Sequence, residues 1–153
     1  LRGDLPADIE RGVRLHRAID AYTDDHPLVR QLRREFPPEL RRFAGILIDL
    51  CFDHFLTLHW RRFASVELPH FNADVYRSLQ QRSAALSPAS RRMLDRLVQH
   101  DILGIYRRNP FTNVDAPLSA FRQRLESDFL EFYPDLVTFC EARKQTMTSF
   151  SGR

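Results

Sequence analysis

The sequence has few of the residues on which several protein classes depend. It contains two cysteines, Cys51 and Cys140, too few for a disulfide framework or a cysteine-rich zinc site. Glycine occurs only 5 times in 153 residues, which excludes collagen-like and linker-like chains. We expect both cysteines to be free, buried thiols in a reducing cytosol.

Long apolar runs and a large charge excess are also missing. The longest apolar stretch, Phe43 to Trp60, contains Asp49 and Asp53, and two acids make it a poor membrane span. The net charge is only +3 and no recognition motif is evident, so we expect no nucleic-acid partner. No secretory signal is visible, and we expect a cytoplasmic protein without a membrane partner.

The composition is that of a globular chain, with 43% hydrophobic and 28% charged residues. Its length predicts a single domain over residues 1–153. Lys144 is the only lysine among 23 basic residues, so the remainder are arginines, which suit carboxylate and phosphate partners. GC-rich coding produces the same bias, so the arginines give only secondary support for an anionic partner.

Helical spacing recurs along the chain and strand-like alternation is almost absent, which predicts a compact all-α fold. Asn72 and Asp115 are expected to be helix N-caps, and Ser87 is expected to cap a helix that begins with Pro88. Tyr133-Pro134 is expected to separate the last two helices. The predicted helices cover residues 7–22, 27–36, 38–63, 72–86, 88–107, 116–132 and 134–148.

The first predicted helix carries polar residues on its apolar stripe. Ile9 and Val13 begin this stripe, and His16 and Asp20 continue it at positions i+7 and i+11 from Ile9. We therefore expect His16 and Asp20 to be buried, and a buried carboxylate is costly unless it is paired or metal-bound. Asp24 follows one turn later, at or just past the expected helix end.

The third predicted helix shows the same anomaly more strongly. From Phe43 to Trp60 it is apolar all round, which predicts a central, buried helix. Asp49 and Asp53 are its only formal charges there, and they lie one turn apart, where like charges repel each other. His54 follows immediately, and a cation between the carboxylates would turn the repulsion into attraction.

Oxygen-rich ligand sets with one or two imidazoles suit Mn²⁺, Mg²⁺ or iron rather than a structural zinc. The sequence therefore predicts that the two helices converge on a divalent ion. A structural role is the alternative, in which His16 hydrogen-bonds a core carboxylate and Asp49 or Asp53 pairs with an arginine. In that alternative Asp24 is a helix cap before Pro27.

The other histidines give weaker signals. His59 and Trp60 end the long apolar helix and are expected to be packing residues. His26, His70 and His100 lie near helix ends or loops, where we expect them to be solvated. The sequence contains no glycine-rich phosphate loop, no serine nucleophile elbow and no plausible cysteine nucleophile.

Three segments resemble the bacterial acyl carrier protein phosphodiesterases. They are residues 12–27 (GVRLHRAIDAYTDDHP), residues 49–60 (DLCFDHFLTLHW) and residues 129–134 (FLEFYP). The resemblance extends over nearly the whole chain. The resemblance implies a further segment before Leu1, and it implies more helix than residues 102–110 provide before the Asn-Pro loop.

The resemblance implies an all-α fold of the HD-phosphohydrolase type, named for its His-Asp metal motif. It implies removal of the 4′-phosphopantetheine group from holo-acyl carrier protein, a small acidic protein, to give the apo-protein. Mn²⁺ is the implied cofactor, with Mg²⁺ as a substitute. The family's polar motif positions fall on His16, Asp20, Asp24, Asp49, Asp53 and His54.

We assign expected roles to these positions. The expected metal ligands are His16, Asp20, Asp49 and Asp53. Asp24 or His54 is expected to orient the attacking water or to protonate the leaving serine oxygen. The expected carrier-protein-binding residues share the second helix, and they are Arg30, Arg33 and Arg34. An ordinary solvated face is the alternative for these arginines.

Two other functions are compatible with the sequence. An HD-type phosphohydrolase that cleaves a nucleotide or another small phosphodiester would carry the same motif, because a fold does not fix a substrate. A non-enzymatic helical module that binds acidic proteins through its arginines is the second. Such a module would show salt-sensitive binding without a metal.

Overall fold

The computed structural model of the protein describes residues 7–106 and 116–149. These residues form helices and connecting turns, with no β-strand among them, which confirms the all-α class. They divide into two compact units, one from residues 7–46 and 116–149 and one from residues 47–106. That the whole chain forms a single domain stays a prediction.

The helices are numbered in chain order through the described ranges. A short 3₁₀-helix at Arg41–Phe43 precedes the third α-helix, and another lies at Ser83–Ala85. No helix in these ranges combines the length and apolarity that crossing a bilayer requires. The α-helices are α1 (Ala7–Asp25), α2 (Pro27–Glu35), α3 (Ala44–Leu58), α4 (Trp60–Phe63), α5 (Leu68–Gln81), α6 (Pro88–Gln99), α7 (Ile102–Ile105) and α8 (Ala116–Ser149).

The first unit is built from α1, α2 and α8. Apolar residues recur every three or four positions along α2 and α8, so each helix has one face to bury. Val29 and Leu32 of α2 are at most 1% exposed, as are Leu125 and Phe129 of α8. Contacts of α8 with both α1 and α2 hold the unit together.

The predicted helix break at Tyr133-Pro134 is wrong, because α8 runs through Pro134 without interruption. A proline inside a helix removes one backbone hydrogen bond and costs about 3 kcal/mol. Phe129 and Phe132, just before the proline, are almost fully buried, and this packing offsets the cost.

In the second unit, the predicted N-cap at Asn72 is wrong. Helix α5 begins four residues earlier, with Glu67 as its N-cap and Pro69 in its first turn, where the missing proline N–H costs nothing. Asn72 is instead buried within the helix, and its Nδ2 atom has no hydrogen-bond partner among the described residues. The predicted cap at Asp115 lies outside the described residues.

The predicted helix at residues 88–107 ends early and is followed by a turn. Asp101 adopts a left-handed conformation with φ of 43°, which ends the helical path after α6. The Tyr76 hydroxyl donates to Asp101 Oδ1 at 3.0 Å and accepts the Leu103 N–H at 2.9 Å. A Cβ atom on Gly104 would overlap the Asp101 carboxylate, so a larger residue there would have to displace this side chain.

The predicted cap at Ser87 is confirmed, and it gives the first testable expectation. Its Oγ accepts the Ser90 N–H at 3.1 Å, and Pro88 occupies the first helical position. Replacing Ser87 with alanine is expected to lower the free energy of unfolding by about 1 kcal/mol, because one N–H of the first turn loses its partner. Urea unfolding measures the change, and Ser65→Ala, at an exposed turn residue, is the control. An equal loss in both variants would contradict the cap assignment.

Helix α3 differs from the expected central helix. One side is buried through Ile48, Cys51 and Phe55, each at most 1% exposed. On another side Ile46 is 72% exposed, and Leu58, the last residue of the helix, is 53% exposed. Apolar residues on every side of a helix therefore do not show that other elements cover every side.

Candidate functional site

The polar residues of α1 do not lie in a core. His16 Nδ1 is 3.0 Å from Asp20 Oδ2, so the two residues do form a pair across one helical turn. Their side chains are 78% and 60% exposed, and no described residue of α1 is buried. The expected burial of His16 and Asp20 is therefore wrong, since the amphipathic stripe of α1 is only half covered.

Asp24 lies at the end of α1 and is bound by an arginine of the next helix. Arg33 Nη2 donates to Asp24 Oδ1 at 2.5 Å, and the Arg33 side chain is 38% exposed. The same guanidinium lies 3.4 Å from where a Cβ on Gly45 would be, so the glycine leaves room for it. Asp24 is therefore held in a charge-assisted hydrogen bond, which fixes its carboxylate before any ligand binds.

Asp49 and Asp53 are the chemically unusual acids of α3. Both residues are exposed, but the protein around the Asp53 carboxyl raises its pKa to about 6, mainly through desolvation. The negative charge of Asp49 one turn away adds to this rise in pKa. A carboxyl group whose ionisation is disfavoured in this way is stabilised as a carboxylate when a cation binds beside it.

His54 follows Asp53 in the sequence and is buried, at 6% exposure. Its Nδ1 lies 3.0 Å from the Tyr106 carbonyl oxygen, which can only accept a hydrogen bond. Donation from Nδ1 therefore places the lone pair of the neutral ring on Nε2. The Thr57 hydroxyl donates to the carbonyls of His54 and Tyr106, at 2.8 and 3.2 Å, and fixes the same turn.

Sequence reasoning missed Tyr106. Its carbonyl orients His54, and burial, together with the charge of Asp53, raises the pKa of its phenol. Tyr106 is 52 positions from His54 in the sequence, so helical periodicity could not connect the two.

His26 was expected to be solvated, and this prediction is wrong. It is 9% exposed, its ring centroid is 5.0 Å from that of Phe132 and 5.5 Å from that of Tyr22. Its Nε2 is 3.4 Å from Asp135 Oδ2, and its Nδ1 is buried without a described partner. Residues 12–27 therefore pack on residues 129–134 of α8. These are two of the three segments on which the family resemblance rests.

The arginines of α2 divide into two kinds. Arg33 is engaged by Asp24, whereas Arg30 and Arg34 are exposed and form no ion pair within the described parts of the chain. Positions 30 and 34 are one turn apart, so both guanidinium groups project from one helical face. This face offers two unpaired positive charges to an anionic partner.

The cysteines, the tryptophan and two further histidines are either packed in the fold or exposed to solvent. Burial raises the pKa of the Cys51 thiol to about 12, which leaves it protonated and unreactive. Cys140 is a free, half-buried thiol with a raised pKa. Trp60 packs as expected, with its ring centroid 4.8 Å from that of Phe71. His70 and His100 are exposed, as expected.

The donor groups of the candidate site meet the requirements of a divalent ion only in part. Across the described residues, no three or more His, Cys, Asp or Glu side chains are grouped closely enough to hold a metal. The acid pair of α3 nevertheless presents hard oxygen donors whose mutual repulsion a cation would relieve, and this chemistry suits Mn²⁺ or Mg²⁺. That the polar residues of α1 and α3 share one ion stays a prediction.

Comparison with known proteins identifies relatives along almost the whole chain. The family model described as acyl carrier protein phosphodiesterase matches residues 1–150. A protein of that name from Klebsiella pneumoniae (strain 342) is 30% identical over 167 residues, covering 94% of this chain and 84% of the relative. Another from Enterobacter sp. (strain 638) is 31% identical and covers 86% and 78%. No solved structure matches the chain.

Proposed function

The chain belongs to the acyl carrier protein phosphodiesterase family, and from this premise we propose the reaction that it catalyses and the residues responsible. It hydrolyses the phosphodiester that joins 4′-phosphopantetheine to a serine of holo-acyl carrier protein. The products are 4′-phosphopantetheine and the apo-protein with a free serine hydroxyl. The single observation that carries the site assignment is the raised pKa of Asp53 beside Asp49 and the buried His54.

We propose Mn²⁺ as the cofactor, with Mg²⁺ as a substitute, and Asp49 and Asp53 as ligands. The exposed pair of His16 and Asp20 on α1 is proposed as the second set of ligands. A bound divalent ion supplies a water of lowered pKa and neutralises charge on the phosphate oxygens. These His and Asp donors favour assignment to the HD-type phosphohydrolases.

The residues of the chain have defined roles in the hydrolysis. Water attacks phosphorus, the bond from phosphorus to the serine oxygen breaks, and the proton that water loses is balanced by one that the serine oxygen gains. His54 is oriented by the Tyr106 carbonyl so that Nε2 exchanges a proton. Asp24, fixed by Arg33, is proposed to orient the water.

We propose that the α2 arginines recognise the carrier protein, because the family resemblance implies an acidic carrier protein as substrate. Arg30 and Arg34 supply exposed charge for this contact, and Arg33 contributes while it holds Asp24. Electrostatic complementarity of this kind speeds encounter and weakens as salt screens it.

Charge reversal on α2 tests the carrier contact. The double variant Arg30→Glu, Arg34→Glu is expected to raise KM for holo-acyl carrier protein about 5- to 10-fold at low salt, with kcat unchanged. The increase should shrink as NaCl is added. The double variant Arg92→Glu, Arg96→Glu on α6, at two exposed arginines one turn apart, is the matched control. Equal KM values for wild type and the double variant at low salt would contradict the assignment.

Product release tests the proposed function itself. The full chain is incubated with holo-acyl carrier protein, with Mn²⁺ or with a chelator, and free 4′-phosphopantetheine and apo-protein are quantified by mass spectrometry. We expect equal amounts of both products with Mn²⁺ and none with the chelator. Turnover of nucleotide phosphodiesters without carrier cleavage would support the broader phosphohydrolase instead. Salt-sensitive carrier binding without cleavage would support a non-enzymatic module.

A further inference from the structure

A cavity of about 380 Å³ lies at the end of α3, within the unit formed by residues 47–106. It is lined by residues 57–62 together with Glu67 and Leu68. Sites of a few hundred cubic ångströms are typical for small molecules, and this volume is too small for a protein helix. The feature therefore suits a small or chain-like ligand.

The cavity has a fixed apolar wall. Trp60 donates its indole N–H to the Val66 carbonyl at 2.6 Å and packs on Phe71, so its ring is held in place. Leu58 and Leu68 extend this wall on either side of the tryptophan in the sequence. A rigid aromatic ring flanked by leucines favours methylene groups and other uncharged atoms.

The polar part of the lining carries one uncompensated positive charge, on Arg62. Arg61 forms an ion pair with Glu67 at 3.1 Å, so these two charges compensate each other. Arg62 has no ion-pair partner within the described residues, and its N–H groups can donate hydrogen bonds. A single guanidinium can donate to the carbonyl groups of an uncharged ligand, and it supplies too little positive charge to compensate a multiply charged anion.

The position of the cavity connects it with the proposed site. Thr57 is one turn beyond Asp53 on nearly the same face of α3, a rise of about 6 Å along the helix axis. Its hydroxyl is bonded to the Tyr106 carbonyl that also contacts His54. A substituent on a phosphate held at Asp53 can therefore extend directly into the cavity.

We propose that this cavity binds the pantetheine arm of the substrate, an inference that rests on the proposed function. The arm is an uncharged, flexible chain with two amide groups and a terminal thiol. Its methylene groups lie against Trp60 and the leucines, and Arg62 donates to an amide carbonyl. The enzyme thereby recognises the prosthetic group as well as the protein that carries it.

Binding of pantetheine, which lacks the phosphate, tests the inference. Trp60 is the only tryptophan of the chain, so its fluorescence reports on the cavity wall directly. We expect a saturable fluorescence change on titration of the full chain with pantetheine. Leu58→Glu is expected to weaken binding at least about tenfold, because it places a carboxylate in the apolar wall.

Two further variants test whether the loss of pantetheine binding is specific to the cavity. Met93→Glu introduces the same charge at a residue that is 68% exposed and outside the cavity, and it should bind pantetheine like wild type. If Leu58→Glu does not fold, as judged by circular dichroism, Arg62→Ala tests the polar part of the same cavity and should weaken binding about threefold or more.

The outcomes separate this inference from the proposed function. No saturable change with pantetheine, in a chain that still releases 4′-phosphopantetheine, would overturn the cavity assignment alone. An equal change with inorganic phosphate would also overturn it, because the cavity would then be an anion site. Pantetheine binding lost in Leu58→Glu, but no carrier cleavage with Mn²⁺, would support the cavity and contradict the proposed reaction.

Discussion

Replacing Asp53 with asparagine is expected to lower kcat for holo-acyl carrier protein about 100- to 10,000-fold, the range typical for loss of a central catalytic group. Asparagine has nearly the same shape but carries no negative charge, so it cannot hold a divalent ion as the carboxylate does. Rates of apo-protein formation at saturating Mn²⁺ measure the loss.

The same variant should not lose stability without metal. The Asp53 pKa rises from 3.8 to about 6 on folding, so between these values the folded chain binds more protons than the unfolded chain. Its contribution to the free energy of unfolding therefore falls as pH rises through this window. Because solvent screens this exposed residue, we expect Asp53→Asn to be more stable than wild type by only about 1 kcal/mol above pH 7.

Asp74→Asn is the control for both effects. Asp74 is an exposed acid on α5 that pairs with Arg77 at 2.8 Å, and its loss should change neither turnover nor stability appreciably. A structural role for Asp53 predicts the opposite pattern, with a large loss of stability at neutral pH in Asp53→Asn and turnover reduced only in proportion to unfolding.

The second large effect is expected on the buried side of α3. Phe55 is fully buried, and Phe55→Ala should lower the free energy of unfolding by about 3–5 kcal/mol, because it loses transfer free energy and leaves a cavity. Leu58→Ala, three positions later on the same helix but 53% exposed, should cost about 0.5 kcal/mol or less.

Chemical denaturation of the two variants measures this contrast. A loss of similar size in both would show that α3 is covered on more sides than the exposure of Leu58 indicates. A small loss in Phe55→Ala would show that Phe55 does not belong to a packed core. Either result would contradict the arrangement in which one face of α3 packs and another presents its acids.

The positions of most helices could be predicted from the sequence, because periodicity and caps are local signals. Ser87 before Pro88 marked the start of α6, and the structure begins the helix there. The predicted helix break at Pro134 was wrong because the burial of Phe129 and Phe132 offsets the local cost of the proline. This burial depends on tertiary packing, which no local signal reveals.

Burial was harder to predict than helix position. The spacing of His16 and Asp20 shows that they share a face, and the structure pairs them, but spacing cannot tell whether another element covers that face. His26 illustrates the reverse error, since its burial depends on Phe132 and Asp135, more than 100 residues later in the chain. The Tyr106 carbonyl that orients His54 is a long-range contact of the same kind.

The central claim is that the carboxylates of α3 hold the divalent ion that hydrolysis requires. Titration of the full chain with Mn²⁺, followed by the electron paramagnetic resonance signal of the free ion, tests it most directly. We expect wild type and Asp74→Asn to bind Mn²⁺ with the same affinity, and Asp53→Asn to bind it at least about tenfold more weakly. Unchanged Mn²⁺ affinity in Asp53→Asn would contradict the account.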